Sequence, residues 1–280
     1  MEGATTSPGA PEPEATDRAS DHLPSDQGPG HRPALSLVIP CYNEAPRLPG
    51  TVQEVARFCD TWARPCEVVL VDDGSRDGTR EAILQAASAH AFVRPVLLPR
   101  NRGKGAALRA GVATTTGSAV VFFDADLSYP IVTVEAALRE LQAGADVVIG
   151  ARDLGRAAGG DRPESLLRRV SHGVFAALVD HYLHLGIPDT QCGFKAFRGS
   201  VARALFASLT VDRFAFDVEL LALARSWNLR IHRLPVTPVQ RDGSSVRLVR
   251  DSLEMWRALV RIRRQVREGR YPAAPPLLED

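Results

Sequence analysis

"SAVVFFDADLSYP", residues 118 to 130, is the stretch on which the fold turns. Five apolar residues, Ala119 to Phe123, run straight into two aspartates one residue apart, Asp124 and Asp126. An apolar run of this kind is expected of a strand covered on both faces. The carboxylates then lie at the margin of a dry core. Side chains at i and i+2 of an extended segment point the same way, so the two charges repel unless a cation lies between or beside them. Two readings stay open from these residues alone. One is a helix N-cap plus a turn residue, both roles that suit Asp. The other is a divalent cation site, whose hard oxygen donors favour Mg2+ or Mn2+ and leave positions for water and substrate phosphates.

The same grammar repeats on either side. Strands are expected at 35–40 ("LSLVIP"), 66–73 ("CEVVLVDD"), 92–99, 118–124 and 146–152. Helices are expected at 47–63, 77–90 with Asp77 as N-cap, 103–116 and 131–144. Strands that are apolar along most of their length, alternating with helices, predict an α/β fold with a mostly parallel central sheet flanked by helices. In such sheets ligands bind beyond the carboxyl ends of the strands. That places four polar or glycine-bearing loops on one rim: 40–46, 72–78, 100–105 and 124–130.

Composition bounds the rest. The 280 residues are 45% hydrophobic and 24% charged with a net charge of +1, which gives no sign of a nucleic-acid partner. The four cysteines form no C-x-x-C pair, so they read as reduced thiols. No apolar run approaches the ~20 residues of a membrane-spanning helix, and the N-terminus lacks the basic start and apolar centre of a signal peptide. The expected location is cytoplasmic, at most peripheral on the cytoplasmic face of a membrane. Residues 1–34 are rich in Pro, Gly, Ser and acidic residues and read as a disordered tail. Residues 35–245 read as the folded domain, and 246–280 as a basic amphipathic helix and tail.

Each rim loop offers candidates. In "VIPCYNEAP" (38–46), Tyr42 is a flat surface for a base, Glu44 an acceptor, and Pro40 stiffens the strand exit. In "VDDGSRDGT" (71–79), Asp72 or Asp73 could accept hydrogen bonds from a base or a ribose, or serve the turn alone. "RNRGKGAALRAG" (100–111) is not a P-loop, because positions 98 and 105 are Leu and Gly, and it is not G-x-G-x-x-G, because position 108 is Leu. Lys104 there suits an anion at a helix start, or simply opens a helix. Together the loops describe a site for a nucleoside diphosphate carrying a group. They disfavour a dehydrogenase or a P-loop phosphoryl transferase.

"VIPCYNE", "VDDGSRDGT", "NRGKGAA" and "DADLSYP", in this order and spacing, resemble the family 2 inverting glycosyltransferases of the GT-A fold. "DTQCGFKAF" (189–197) and "FAFDVELLALA" (214–224) narrow the resemblance to the dolichyl-phosphate glucosyltransferases, with dolichyl-phosphate mannose synthases as near relatives. The resemblance spans about residues 35 to 265. It implies that Pro40, Tyr42, Glu44 and Asp73 surround the nucleoside, and that Asp124 and Asp126 hold the metal with Ala125 backing the nucleotide. It further implies that Arg152, Lys195 and Arg247 meet phosphates, and that Gln191 and Cys192 shape the sugar or acceptor pocket.

The activity implied is transfer of glucose from UDP-glucose to a polyprenyl phosphate. GDP-mannose as donor, a soluble acceptor and a non-catalytic nucleotide-sugar binding module stay open as alternatives. A phosphate monoester has a second pKa near ~6 and needs no base. A sugar hydroxyl would need one, with Asp217 the first candidate and Glu219 the second. From Arg247 to Arg270 the chain carries eight arginines, with Leu253, Trp256, Leu259 and Val260 at helical spacing. Such a helix packs its apolar stripe on the domain, lies at an anionic membrane surface, or does both in part. His181 and His184 have no ligand partners in sequence and read as surface or packing residues, and Trp62 and Trp227 read as core.

Overall fold

The computed structural model describes residues 33–62, 64–157, 166–239 and 248–275. All but the last two residues of the expected tail, and Arg247, lie outside the described residues. The central strand β1 (Leu35–Cys41) is flanked in parallel by β2 (Cys66–Asp72) and β4 (Ala119–Phe122), and β3 (Val93–Leu97) pairs in parallel with β2. β5 (Val147–Ala151) and β7 (Ile231–Pro235) are parallel to each other. Between β4 and β5 runs one reversed strand, β6 (Lys195–Arg198), antiparallel to both. The seven-stranded order is β3-β2-β1-β4-β6-β5-β7. This is the mostly parallel α/β sheet that the sequence predicts.

The helices are α1 (Leu48–Thr61), α2 (Thr79–Ala89), α3 (Lys104–Val112), α4 (Thr133–Gln142), α5 (Arg152–Ala157), α6 (Leu166–Leu183), α7 (Gly199–Ser208), α8 (Phe216–Ser226) and α9 (Leu248–Arg267). The N-cap of α2 is Gly78, not Asp77, whose carboxylate instead accepts the Thr79 amide at 3.1 Å. The expected cap is thus one residue early, and its carboxylate still serves the helix start.

Alternation along β1 divides the core. Leu35, Leu37, Ile39 and Cys41 pack on one face against α1, α2 and α4, whereas Val38 packs on the other against α3, α7 and α8. Two covered faces explain why the strands read as unbroken apolar runs. Helix α3 lies so near the sheet that a Cβ on Gly111 would come within 2.7 Å of Val38 and Val71. At the other end of α3, next to Lys104, a Cβ on Gly105 would come within 2.6 Å of the Val211 carbonyl. Helix α9 joins the same core through Leu259 and Ile262, and no described helix is long and apolar enough to cross a membrane. Trp227 is a core residue and Trp62 is half-buried against Phe58.

Candidate active site

Because β1 to β4 are parallel, their carboxyl ends and the loops 42–47, 73–78, 98–103 and 123–132 gather on one rim. β5 runs the same way and delivers Arg152. The reversed β6 begins where the others end, so Lys195 and the segment 184–194 reach the same rim. One antiparallel strand therefore brings Gln191, Cys192 and Lys195 to the DxD loop.

The first two loops are stitched together. The Asn43 amide donates to Ser75 Oγ at 3.0 Å, the Glu44 amide to Thr79 Oγ1 at 2.8 Å, and the Arg76 amide to Asn43 Oδ1 at 2.9 Å. Pro40 is half-buried at the end of β1, and Tyr42 is left 43% exposed as a free ring on the rim. The two adjacent aspartates, expected to meet a base or ribose, are buried and engaged within the protein. Asp72 accepts from Arg80 at 3.0 Å and from the Ser75 amide at 2.9 Å. Asp73 accepts from Asn101 Nδ2 and from the Arg102 and Gly103 amides, each at 2.8 Å. They shape the neighbouring loops on which a nucleoside would rest.

Asp124 and Asp126 stand at the centre. Asp126 Oδ1 accepts the Ser128 amide at 2.9 Å, which is the turn role that Asp suits, and its other oxygen has no protein partner among the described residues. Asp124 is not left with its repulsion. Its Oδ1 lies 2.5 Å from the Lys104 ammonium. Its Oδ2 lies against Gly193, where an added Cβ would come within 2.1 Å of it. Lys104, read as an anion binder, is thus held by a carboxylate. Burial raises the Glu44 carboxyl above its ordinary value; Arg47, at 3.0 Å, opposes the rise, while Asp126 and Asp124 add to it. Glu44 therefore feels the charge of Asp124 and Asp126 across the rim.

Beneath them lies a second ion pair. Lys195 is fully buried, with its ammonium 2.8 Å from the Cys192 carbonyl and 2.5 Å from Asp217 Oδ1. The expectation that Lys195 meets phosphates gives way to this pairing. Asp217 is buried too, so the carboxylate expected as a base is occupied by a lysine below the rim. Burial raises the Asp217 carboxyl, and Lys195 and Lys104 counter that rise. Both ammoniums lie over the Phe122 ring, at 5.4 Å for Lys195 and 5.9 Å for Lys104. Glu219, the second base candidate, is fully buried and accepts from the Thr210 and Val211 amides and from Tyr271.

Arg152, expected on a phosphate, forms a forked pair with Asp189 at 2.8 and 2.7 Å. Burial pushes the Asp189 carboxyl up, but the Arg152 contacts outweigh it and hold it below its ordinary value. Ala125 is buried in the core, and its carbonyl accepts from Thr51 at 2.5 Å, so the main-chain carbonyl is turned inward as well. Gln191 is half-buried and its amide has no protein partner among the described residues. Beside loop 98–103, a groove of about 340 Å³ runs between residues 210–215 and α9, with Arg102, Arg213, Phe214, Arg257 and Arg261 in its lining.

Among the described residues no group of three or more His, Cys, Asp or Glu is placed to hold a metal alone. The donor set fits a cation that arrives with its own oxygen ligands: two hard carboxylates, one half-exposed and one with a vacant oxygen, and the remainder from phosphate and water. Asp189, Gly193 and Phe122 were not legible as site residues. Each acts on a partner far away in sequence, and no local pattern marks such pairs.

The profile described as "Glycosyl transferase family 2" matches residues 36–206. The chain is 37% identical over 242 residues to the dolichyl-phosphate beta-glucosyltransferase of Drosophila melanogaster, covering 81% of this chain and 74% of that protein. It is 34% identical over 251 residues to the Homo sapiens protein of that name, covering 85% and 77%. Among solved structures it resembles glucosyl-3-phosphoglycerate synthase from Mycobacterium tuberculosis in complex with Mn2+, UDP-glucose and phosphoglyceric acid. The TM-score is 0.59 at 19% identity, covering 84% of this chain and 79% of that one. Mannosyl-3-phosphoglycerate synthase from Rubrobacter xylanophilus gives a TM-score of 0.57 at 20% identity, covering 88% and 79%. These likenesses identify the fold as GT-A.

Proposed function

Because this chain belongs to glycosyl transferase family 2 and is a glycosyltransferase, we propose that it moves glucose from UDP-glucose to a polyprenyl phosphate with inversion at the anomeric carbon. The observation that carries this reading is the state of the rim carboxylates. Asp72, Asp73, Asp189, Asp217 and Glu219 are all tied to protein partners. Of the remaining ones, Glu44 is paired with Arg47 and Asp124 with Lys104, and Asp124 and Asp126 lie where a cation would be held. With Asp124 and Asp126 given to the cation, no described carboxylate on this rim is left to act as a base. An acceptor that is already an anion at neutral pH needs none, whereas a sugar hydroxyl would. Relatives at 34% and 37% identity that carry the name dolichyl-phosphate beta-glucosyltransferase support the donor sugar and the acceptor class.

In this reading Asp124 and Asp126 hold Mg2+ or Mn2+ on the donor diphosphate, where it would offset charge on the departing oxygen. Tyr42 stacks the base, and the Asp73-braced loop supports it. Gln191, half-buried two residues before the Gly193 that lies against Asp124, hydrogen-bonds the sugar. Orientation of donor against acceptor supplies much of the remaining barrier reduction. The test is a panel of UDP-glucose and GDP-mannose with Mn2+ or Mg2+, with and without a short polyprenyl phosphate or a soluble sugar acceptor, read by release of the nucleoside diphosphate. Release from UDP-glucose that depends on the lipid phosphate is expected. Dependence on GDP-mannose or on the soluble acceptor would replace the assignment.

The acceptor also implies a place. Helix α9 turns Leu259 and Ile262 into the core, while Trp256 is 47% exposed and Val260 40% exposed on the outer side among Arg257, Arg264 and Arg267. Packing and an interfacial face coexist on one helix. An outward Trp among arginines suits an anionic membrane surface. We therefore place the protein at the cytoplasmic face of a membrane as a peripheral protein. Trp256→Glu should weaken pelleting with anionic vesicles about tenfold or more, without lowering Tm. Equal pelleting of both proteins, or no binding by either, would remove the membrane contact.

A further inference from the structure

Asp124, Lys104, Asp217 and Lys195 form a row of alternating charge running from the rim into the core. The outer contact is 2.5 Å from Lys104 to Asp124, and the inner one is 2.5 Å from Lys195 to Asp217. Phe122 lies under both ammoniums and excludes water from that side. The other oxygen of Asp124 lies on the Gly193 side, in space that only a glycine leaves open. The four charges cancel. A divalent cation arriving alone must take Asp124 from Lys104 and leave that ammonium without its partner at the rim. A cation arriving with a nucleoside diphosphate brings about as much negative charge as positive, and its phosphate oxygens offer the ammonium a new partner.

We propose that Lys104 is a resident counter-ion which holds Asp124 until cation and donor arrive together, so that metal binding and diphosphate binding are coupled through this one side chain. The inference rests on the assignment of Asp124 and Asp126 to the cation, and it adds a positioning role for a lysine that a sequence reading gives to an anion or to a helix start. Lys195 and Asp217 are the fixed inner end of the row. Asp217 also attracts the Lys104 ammonium from the inner side.

The test reads metal affinity, not turnover. Mn2+ binding is measured by electron paramagnetic resonance or calorimetry on the full chain, alone and with saturating UDP. In the unaltered protein Mn2+ alone should bind weakly, and UDP should tighten it strongly. Lys104→Met should bind Mn2+ alone about tenfold tighter, and the enhancement by UDP should shrink by a similar factor, as reciprocal coupling requires. Lys104→Arg keeps the charge and should retain the coupling. Adding Asp124→Asn to Lys104→Met should erase the gain. Should Lys104→Met have a low Tm, Lys104→Gln provides the same comparison with a polar side chain. The proposal is overturned if neither neutral variant binds Mn2+ alone more tightly while Mn2+ with UDP still binds, or if the gain survives loss of Asp124. If Mn2+ fails to bind the unaltered protein even with UDP, the donor-site reading fails and the counter-ion role falls with it.

Discussion

Asp124→Asn should reduce kcat/KM for glucosyl transfer about a thousandfold while leaving the fold in place. The substitution keeps the shape that fits against Gly193 and removes only the charge. A Lewis acid at a departing phosphate contributes several kcal/mol of charge stabilisation, and about 4 kcal/mol corresponds to roughly three powers of ten in rate. Asp126→Ala should be similarly severe, because Asp126 keeps an oxygen without a protein partner among the described residues. Steady-state kinetics beside a thermal melt separate the two effects. An activity within about tenfold of the unaltered protein would remove both aspartates from the chemistry.

Lys195→Met should have the largest effect on stability. It deletes one partner of a fully buried pair and leaves the buried Asp217 with only Lys104 to compensate. Breaking a buried ion pair from one side costs about 3–5 kcal/mol. At roughly 2–4 °C per kcal/mol for a domain of this size, Tm should fall by about 10 °C. The second substitution decides the cause. Lys195→Met with Asp217→Asn removes both charges and should recover most of the loss, because a buried pair adds little over a neutral replacement. A double variant as unstable as the single one would mean that Lys195 acts through packing and not through charge.

The sheet was legible because its chemistry is local. Both faces of β1, β2 and β4 are covered, so their sequences are unbroken apolar runs whose ends fall where the polar loops begin. Asp124 and Asp126 were legible because two carboxylates occur within three residues of one loop. β6 was not read as a strand. It has four residues, begins with Lys195, and owes its place to backbone pairing with β4 and β5. The ion partners were illegible for the same reason: Arg152 and Asp189 lie 37 positions apart, Lys195 and Asp217 22. Their meeting is a product of sheet order. Charged residues that resemble ligand-binding groups in the sequence, such as Asp72, Asp73, Arg152 and Lys195, prove to brace the rim from within. The groups left facing outward are fewer: Tyr42, Gln191, Glu44 and the aspartate pair.

The measurement closest to the central claim is release of UDP from UDP-glucose in the presence of Mn2+, with a short polyprenyl phosphate compared against the same polyprenol lacking the phosphate. The account predicts rapid release with the phosphate and only background release with the alcohol, because no free carboxylate stands ready to activate a hydroxyl. Equal release with both would contradict it and require a base on this rim.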